Sequence, residues 1–166
     1  NKVQEAKGKW LNIQKNNPNL KLHMIGILQT NKAKDAVQLF DYIHSLDNEK
    51  LANALAKYEN LLKKKNKYFI QVNIGNESQK SGIDIEKLSD LYFFCKKISL
   101  NIIGLMCIPP KDKNSKYYFT ELSKLNRSLN LEQISMGMSD DYSDAIECGS
   151  TFIRIGSAIF GNRSTK

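Results

Sequence analysis

Residues 133–161 read QISMGMSDDYSDAIECGSTFIRIGSAIFG, and the residues there that could do chemistry are Ser135, Arg154, Gly156 and Ser157. A guanidinium keeps its charge at any ordinary pH. Setting Arg154 between Ile153 and Ile155 is therefore costly unless hydrogen-bond acceptors meet it. Gly156 and Ser157 then open a helix-like turn. Glycine lets a backbone approach a ligand closely, serine adds a hydroxyl, and the N–H groups of a helix start favour an anion. With Ser135 on a neighbouring strand end, these residues describe a phosphate cup with a cation beside it. The structural alternative for the arginine is an ion pair with Asp140 or Asp141, and a Gly-Ser pair at a turn is a weak signal alone.

Other polar residues collect where strands end. Gln71 and Asn73 alternate on an otherwise apolar strand, and Gln29, Thr30 and Asn31 follow MIGIL. Gln71 and Asn73 serve a ligand or satisfy loop backbone groups. His23 and His44 stand 21 residues apart in strand-like runs, with no carboxylate or cysteine cluster around them, so packed histidines explain them better than metal ligands. Ser139-Asp140-Asp141 reads as a helix N-cap with acids in the first turn. The loop GNESQKSG lacks the spacing of a phosphate-binding P-loop, and no nucleophile elbow supports a serine hydrolase.

The elements that must position these residues alternate. Apolar runs begin near residues 22, 41, 68, 102, 133 and 151, and helical stripes separate them. One stripe is Leu51, Leu55, Tyr58 and Leu62, expected to be capped by Asp47; another is Phe119, Leu122, Leu125 and Leu129. Strands joined by helical crossovers make a parallel sheet. It closes either as an open doubly wound sheet or as a barrel of eight strands, and six strands fit a barrel only if two precede them. The first residue is Asn1 rather than Met, already in a helical pattern, so the chain is expected to lack its N-terminal segment.

The 166 residues are 41% apolar and 25% charged, as in one globular domain with a sizeable core. No run reaches the length of a membrane span, and no basic-then-apolar leader is present. Three widely spaced cysteines argue against a disulfide scaffold or zinc site and for a reducing, cytoplasmic setting. The net charge of +8 raises nucleic acid as a partner, but the lysines are scattered. Their one cluster, Lys63-Lys64-Lys65 with Lys67, closes a helix, where cations complement the dipole. Neither a nucleic acid nor a membrane is expected as partner.

The stretches NKVQEA, HMIGILQTNKAK, QVNIGNESQKSG, GLMCIP and the segment 133–161 resemble, in order and up to about Arg163, the pyridoxal phosphate homeostasis protein family. The resemblance implies one cofactor-binding domain over 1–166, a (β/α)8 barrel of the alanine racemase N-terminal type with about six of its eight strands present. It implies binding of pyridoxal 5'-phosphate (PLP) without established catalysis, in buffering and supplying the cofactor. The alternative is a racemase-like enzyme acting on a small amino acid. By motif position, Ser135, Gly156 and Ser157 would hold the phosphate; the family usually has Thr where Ser157 stands. Arg154 would face the pyridine nitrogen, and Asn1, matching the Asn of a Gly-Glu-Asn motif, would lie near the ring.

The same resemblance puts the Schiff-base lysine on the first barrel strand, upstream of Asn1. Lys32 and Lys80 are poor substitutes, since a nucleophilic lysine needs its pKa lowered by burial or a neighbouring cation. The implied partners are PLP and, as recipients, PLP-dependent apoenzymes, with the complete protein a monomer. A barrel short of two strands exposes two sheet edges. The isolated 166 residues are accordingly expected to be unstable or to associate, and cooperative melting of a soluble monomer would overturn that expectation.

Overall fold

The computed structural model describes residues 1–77, 79–111 and 114–161. Six strands run through it: β1 (His23–Met24), β2 (Tyr42–Leu46), β3 (Lys67–Gln71), β4 (Ile102–Met106), β5 (Gln133–Met138) and β6 (Phe152–Arg154). Seven helices surround them: α1 (Val3–Asn16), α2 (Ala33–Leu39), α3 (Glu49–Leu62), α4 (Ile85–Lys97), α5 (Ser115–Ser128), α6 (Tyr142–Glu147) and α7 (Ser157–Phe160). Every neighbouring pair of strands is parallel, and their order in the sheet is their order in the chain. A doubly wound sheet reverses its strand order at a switch point; this one never does. The sheet is therefore a curled part of a (β/α)8 barrel.

The period of two along the strands sorts the side chains. Ile43, Tyr68, Ile70, Leu105 and Ile134 are buried in the layer beneath the helices, with Leu51, Leu55, Leu88, Leu91, Phe119 and Leu122 opposite them. The alternate residues turn to the concave side, where Phe69 stacks on His44 (centroids 4.3 Å apart) and Phe152 of β6 meets Phe69 at 5.3 Å and Tyr42 at 5.7 Å. Gly104 makes room for this cluster. A Cβ there would lie 1.8 Å from the Gln133 carbonyl oxygen and 3.0 Å from the Phe69 ring.

Local chemistry departs from the sequence reading in three places. The cap of α3 is Asn48, whose side chain accepts the Leu51 N–H at 2.8 Å, rather than Asp47. Lys63 ends that helix in the left-handed conformation (φ 47°), and Lys64 reaches across to the Gln38 and Phe40 carbonyls (2.9 and 2.8 Å) at the end of α2. The lysine cluster thus serves a neighbouring helix end as well as its own. Helix α2 has only Ala33, Ala36, Val37 and Leu39 to mark its buried face, a signal too short to stand out in hydropathy. Among the described residues no helix is long and apolar enough to cross a membrane.

Candidate functional site

Arg154 ends β6 facing the concave side, whereas Ile153 on the opposite face is 41% exposed. The strand period therefore removes the conflict posed by an arginine within the run FIRI. The guanidinium donates from Nη1 to Ser135 Oγ (2.8 Å) and from Nη2 to the Cys107 carbonyl (2.9 Å). Burial lowers its pKa from the ordinary value, while it remains a permanent cation at any working pH. Among the described residues no carboxylate comes within ion-pair distance of it. Asp141, one of the two expected partners, instead accepts the Met138 N–H at 2.6 Å.

Two clefts meet at Arg154. One, of about 610 Å³ at the carboxyl ends of the strands, is lined by Asn1, Gly26, Gln71, Lys80, Met138 and Arg154 among others. The other, of about 450 Å³, runs past His23, His44, Phe152 and Arg154 to Gly156. A third cleft of similar size, beside Tyr42, Lys67 and Gln133, opens at the amino ends of the strands. In parallel barrels ligands bind at the carboxyl end, so the first two clefts form the candidate site.

The structure thus brings Asn1 and Arg154 into one cleft and Arg154 and Gly156 into the other. Asn1 arrives by backbone contact: a Cβ on Gly26 would lie 2.2 Å from its carbonyl oxygen, and only glycine permits that approach. Ser135 is fully buried and bonded to Arg154, one strand away from the turn that carries Gly156 and Ser157. At that turn the Gly156 and Ala158 N–H groups converge on Ser139 Oγ (3.3 and 3.2 Å). A Cβ on Gly156 would meet nothing within 4 Å, so the turn faces open space. Ser139 is the residue that sequence reasoning assigned elsewhere, as a cap of α6. The N-cap of that helix is Asp141, without a side-chain cap bond. Local spacing could not reveal the role of Ser139, because its partners lie 17 and 19 residues away.

Gln71 and Asn73 hold the loop after β3. Gln71 Nε2 donates to the Ser81 carbonyl (3.2 Å), Asn73 Nδ2 donates to the Glu77 carbonyl (3.0 Å), and Asn73 Oδ1 accepts the Glu77 N–H (3.2 Å). Gln71 also lines the larger cleft. Ser78 of that loop, like Arg163 at the end of the resemblance, lies outside the described residues. Lys80 reaches the cleft with its ammonium engaged by Glu77 (2.5 Å) and the Pro109 carbonyl (3.1 Å). Lys32 lines a separate cleft beside Lys2 and Gln29.

His23 and His44 are paired at 3.0 Å between Nδ1 and Nε2, and His44 Nδ1 lies 2.9 Å from Ser135 Oγ. Among the described residues no group of His, Cys, Asp and Glu is arranged to hold a metal. Burial, then the neighbouring His23 and the Arg154 cation, lower the His44 pKa from 6.5 to about 3; burial lowers His23 as well, with Asp41 opposing. His44 is therefore neutral when folded, whereas the unfolded chain protonates it below about pH 6.5. Its contribution to stability is fully present above that pH and is lost as pH falls towards 3, at up to about 1.4 kcal/mol per pH unit. Unfolding free energies from urea titrations at pH 7 and pH 5 are expected to differ more in the wild type than in His44→Leu, by about 2 kcal/mol. Equal differences in the two would contradict the burial of a neutral imidazole.

The chain as a whole is similar to known proteins. Residues 1–164 match the family described as alanine racemase, N-terminal domain. The chain is 38% identical over 174 aligned positions to the pyridoxal phosphate homeostasis protein of Pasteurella multocida, covering 98% of this chain and 75% of that protein. The protein of the same name from Escherichia coli is 34% identical over 153 positions, covering 87% and 65%. PipY of Synechococcus elongatus, solved with PLP bound, superposes with a TM-score of 0.88 at 32% identity, covering 97% of this chain and 79% of that one. Alanine racemase of Clostridium difficile shares the fold, with a TM-score of 0.69 at 11% identity over 98% of this chain and 48% of its own.

Proposed function

The chain belongs to the alanine racemase N-terminal domain family and, within it, to the pyridoxal phosphate homeostasis proteins, and on that footing we propose that it binds PLP at the carboxyl ends of its strands, to hold and supply the cofactor rather than to turn over a substrate. The observation that carries this reading is Arg154: a half-buried cation, bonded on two sides, at the junction of two clefts.

The donor set fits the cofactor. Gly156, Ser157 and Ala158 present N–H groups and a hydroxyl beside open space, Ser139 adds a second hydroxyl, and the larger cleft has room for one small cofactor. In this reading Gly156 and Ser157 hold the phosphate, with Ser139 beside them, and Asn1 lies by the ring; Ser135, expected from the motif to join them, is wholly buried against His44 and Arg154 and serves the site from behind the arginine. PLP, when bound, supplies an aldehyde for amines and a pyridine ring that draws electrons. Arg154 sets how strongly it can do so. A permanent guanidinium has no lone pair with which to take a proton from the ring nitrogen, and its charge disfavours protonating that nitrogen, so the site keeps the ring a weak electron sink. Such a residue suits storage of the aldehyde, and PLP-dependent apoenzymes are the natural recipients.

The chain spans about three quarters of the length of the Pasteurella multocida protein, and the covalent anchor is proposed to lie upstream of Asn1. The test is an absorbance titration with PLP on the 166 residues and on the chain extended to the length of its relatives, followed by borohydride. A reducible adduct in the extended chain alone is the expected result. A specific adduct in the short chain would move the anchor to a lysine such as Lys80. Binding by neither would overturn the phosphate cup.

A further inference from the structure

Behind Arg154 runs a line of four polar side chains from four different strands: Arg154, Ser135, His44 and His23. Ser135 is wholly buried and His44 is 1% exposed, so water cannot complete their hydrogen bonds. The direction of each bond then follows from proton counting. Arg154 has only donors, so Ser135 Oγ accepts from Nη1. Ser135 has one proton, and the buried acceptor beside it is His44 Nδ1, 2.9 Å away. His44 Nδ1 therefore carries a lone pair, and the His44 proton sits on Nε2, donated to His23 Nδ1 at 3.0 Å. Each member donates to the next, from the cleft into the barrel.

We propose that His44 is a positioning residue for Arg154: by accepting the Ser135 proton it turns a serine lone pair toward Nη1, and with the Cys107 carbonyl on Nη2 this fixes the plane of the guanidinium in the cleft. Its consequence for PLP rests on the function proposed above. The groups that face His44 are His23 from β1, Phe69 from β3, Ser135 from β5 and Phe152 and Arg154 from β6. None of them is a carboxylate that could hold the ring protonated. A protonated His44 would present N–H to Ser135 Oγ, and the serine proton would then face the guanidinium. The ordered line thus requires the neutral imidazole, in agreement with its depressed pKa.

Three substitutions separate positioning from mere filling of space. Asparagine places an amide close to the Nδ1 position, glutamine places one close to Nε2, and leucine places neither. Side-chain ¹⁵N NMR of the protein without cofactor is expected to show an unprotonated His44 Nδ1. It is also expected to show separate Nη1 and Nη2 signals for Arg154 in the wild type and in His44→Asn, merging in His44→Gln and His44→Leu. PLP affinity is expected to stay within about threefold of wild type in His44→Asn and to fall about tenfold in the other two, one lost hydrogen bond being worth about that factor. Unfolding curves identify any variant that fails to fold, and the wild-type ring signals then decide alone. A protonated Nδ1, or equal affinity in all three variants, would overturn the proposal. Failure of the wild type to bind PLP would instead remove the proposed function and leave the NMR result standing as the test of His44.

Discussion

Arg154→Leu is expected to weaken PLP binding by about 10- to 100-fold while changing the stability of the fold by only about 1 kcal/mol. The first figure follows from losing a charged donor at the ligand, worth about 1.5–3 kcal/mol, at about 1.4 kcal/mol per factor of ten. The second follows from two opposed effects. The Cys107 carbonyl and Ser135 Oγ lose their partner, but the cost of holding a cation away from water disappears with it. Arg154→Lys is expected to recover little of the affinity. A single ammonium cannot reach both Ser135 and Cys107 in the plane that the guanidinium spans. Dissociation constants from the PLP titration, set beside urea midpoints, separate the two effects. Unchanged affinity in Arg154→Leu would remove this residue from the site.

Glu59→Ala is expected to destabilise the protein by about 3–5 kcal/mol, the usual cost of deleting one partner from a buried charged network. Glu59 is 1% exposed and accepts the Asn66 N–H (2.7 Å), the Tyr68 hydroxyl (3.0 Å) and the Lys65 ammonium (2.9 Å). Burial and the Glu59 carboxylate push the Tyr68 phenol far above its ordinary range, so it remains a donor at any working pH. Asn66 in turn gives its side-chain amide to the Val37 and Phe40 carbonyls (3.2 and 2.6 Å), so the network ties the end of α2 to α3 and β3. Lys65 is largely exposed and contributes little. The cost lies in the two buried donors left without an acceptor. Glu59→Gln, which keeps one acceptor oxygen, is expected to lose about 1–3 kcal/mol. Urea unfolding decides, in whichever form of the chain melts cooperatively, and a loss below 1 kcal/mol for Glu59→Ala would sink the argument.

The order of elements was legible in the sequence because it rests on local period. Alternating apolar runs and helical stripes gave six strands and most of the helices, and the helix ends were missed by a residue or so where a cap depends on one side chain, as at Asn48. Barrel and open sheet could not be separated this way. Strand order is a property of pairing across the chain, and periodicity carries no information about it. Motif resemblance supplied what period could not, in the segment from Ser135 to Gly161.

What the sequence determined by itself is a parallel α/β domain with an arginine beside a Gly-Ser turn at one strand end, because residue type, spacing and turn chemistry act within a few positions. What only the tertiary structure decided is whom those residues touch. Arg154 bonds to Ser135 and Cys107 rather than to Asp140 or Asp141. Ser139 meets the amides of Gly156 and Ala158, and His44 meets Ser135 across the barrel. Each of these pairs is separated by 17 to 91 residues. A curled sheet of sequentially ordered strands is what brings them within 3.3 Å, since its concave face gathers every second side chain from strands that are distant along the chain.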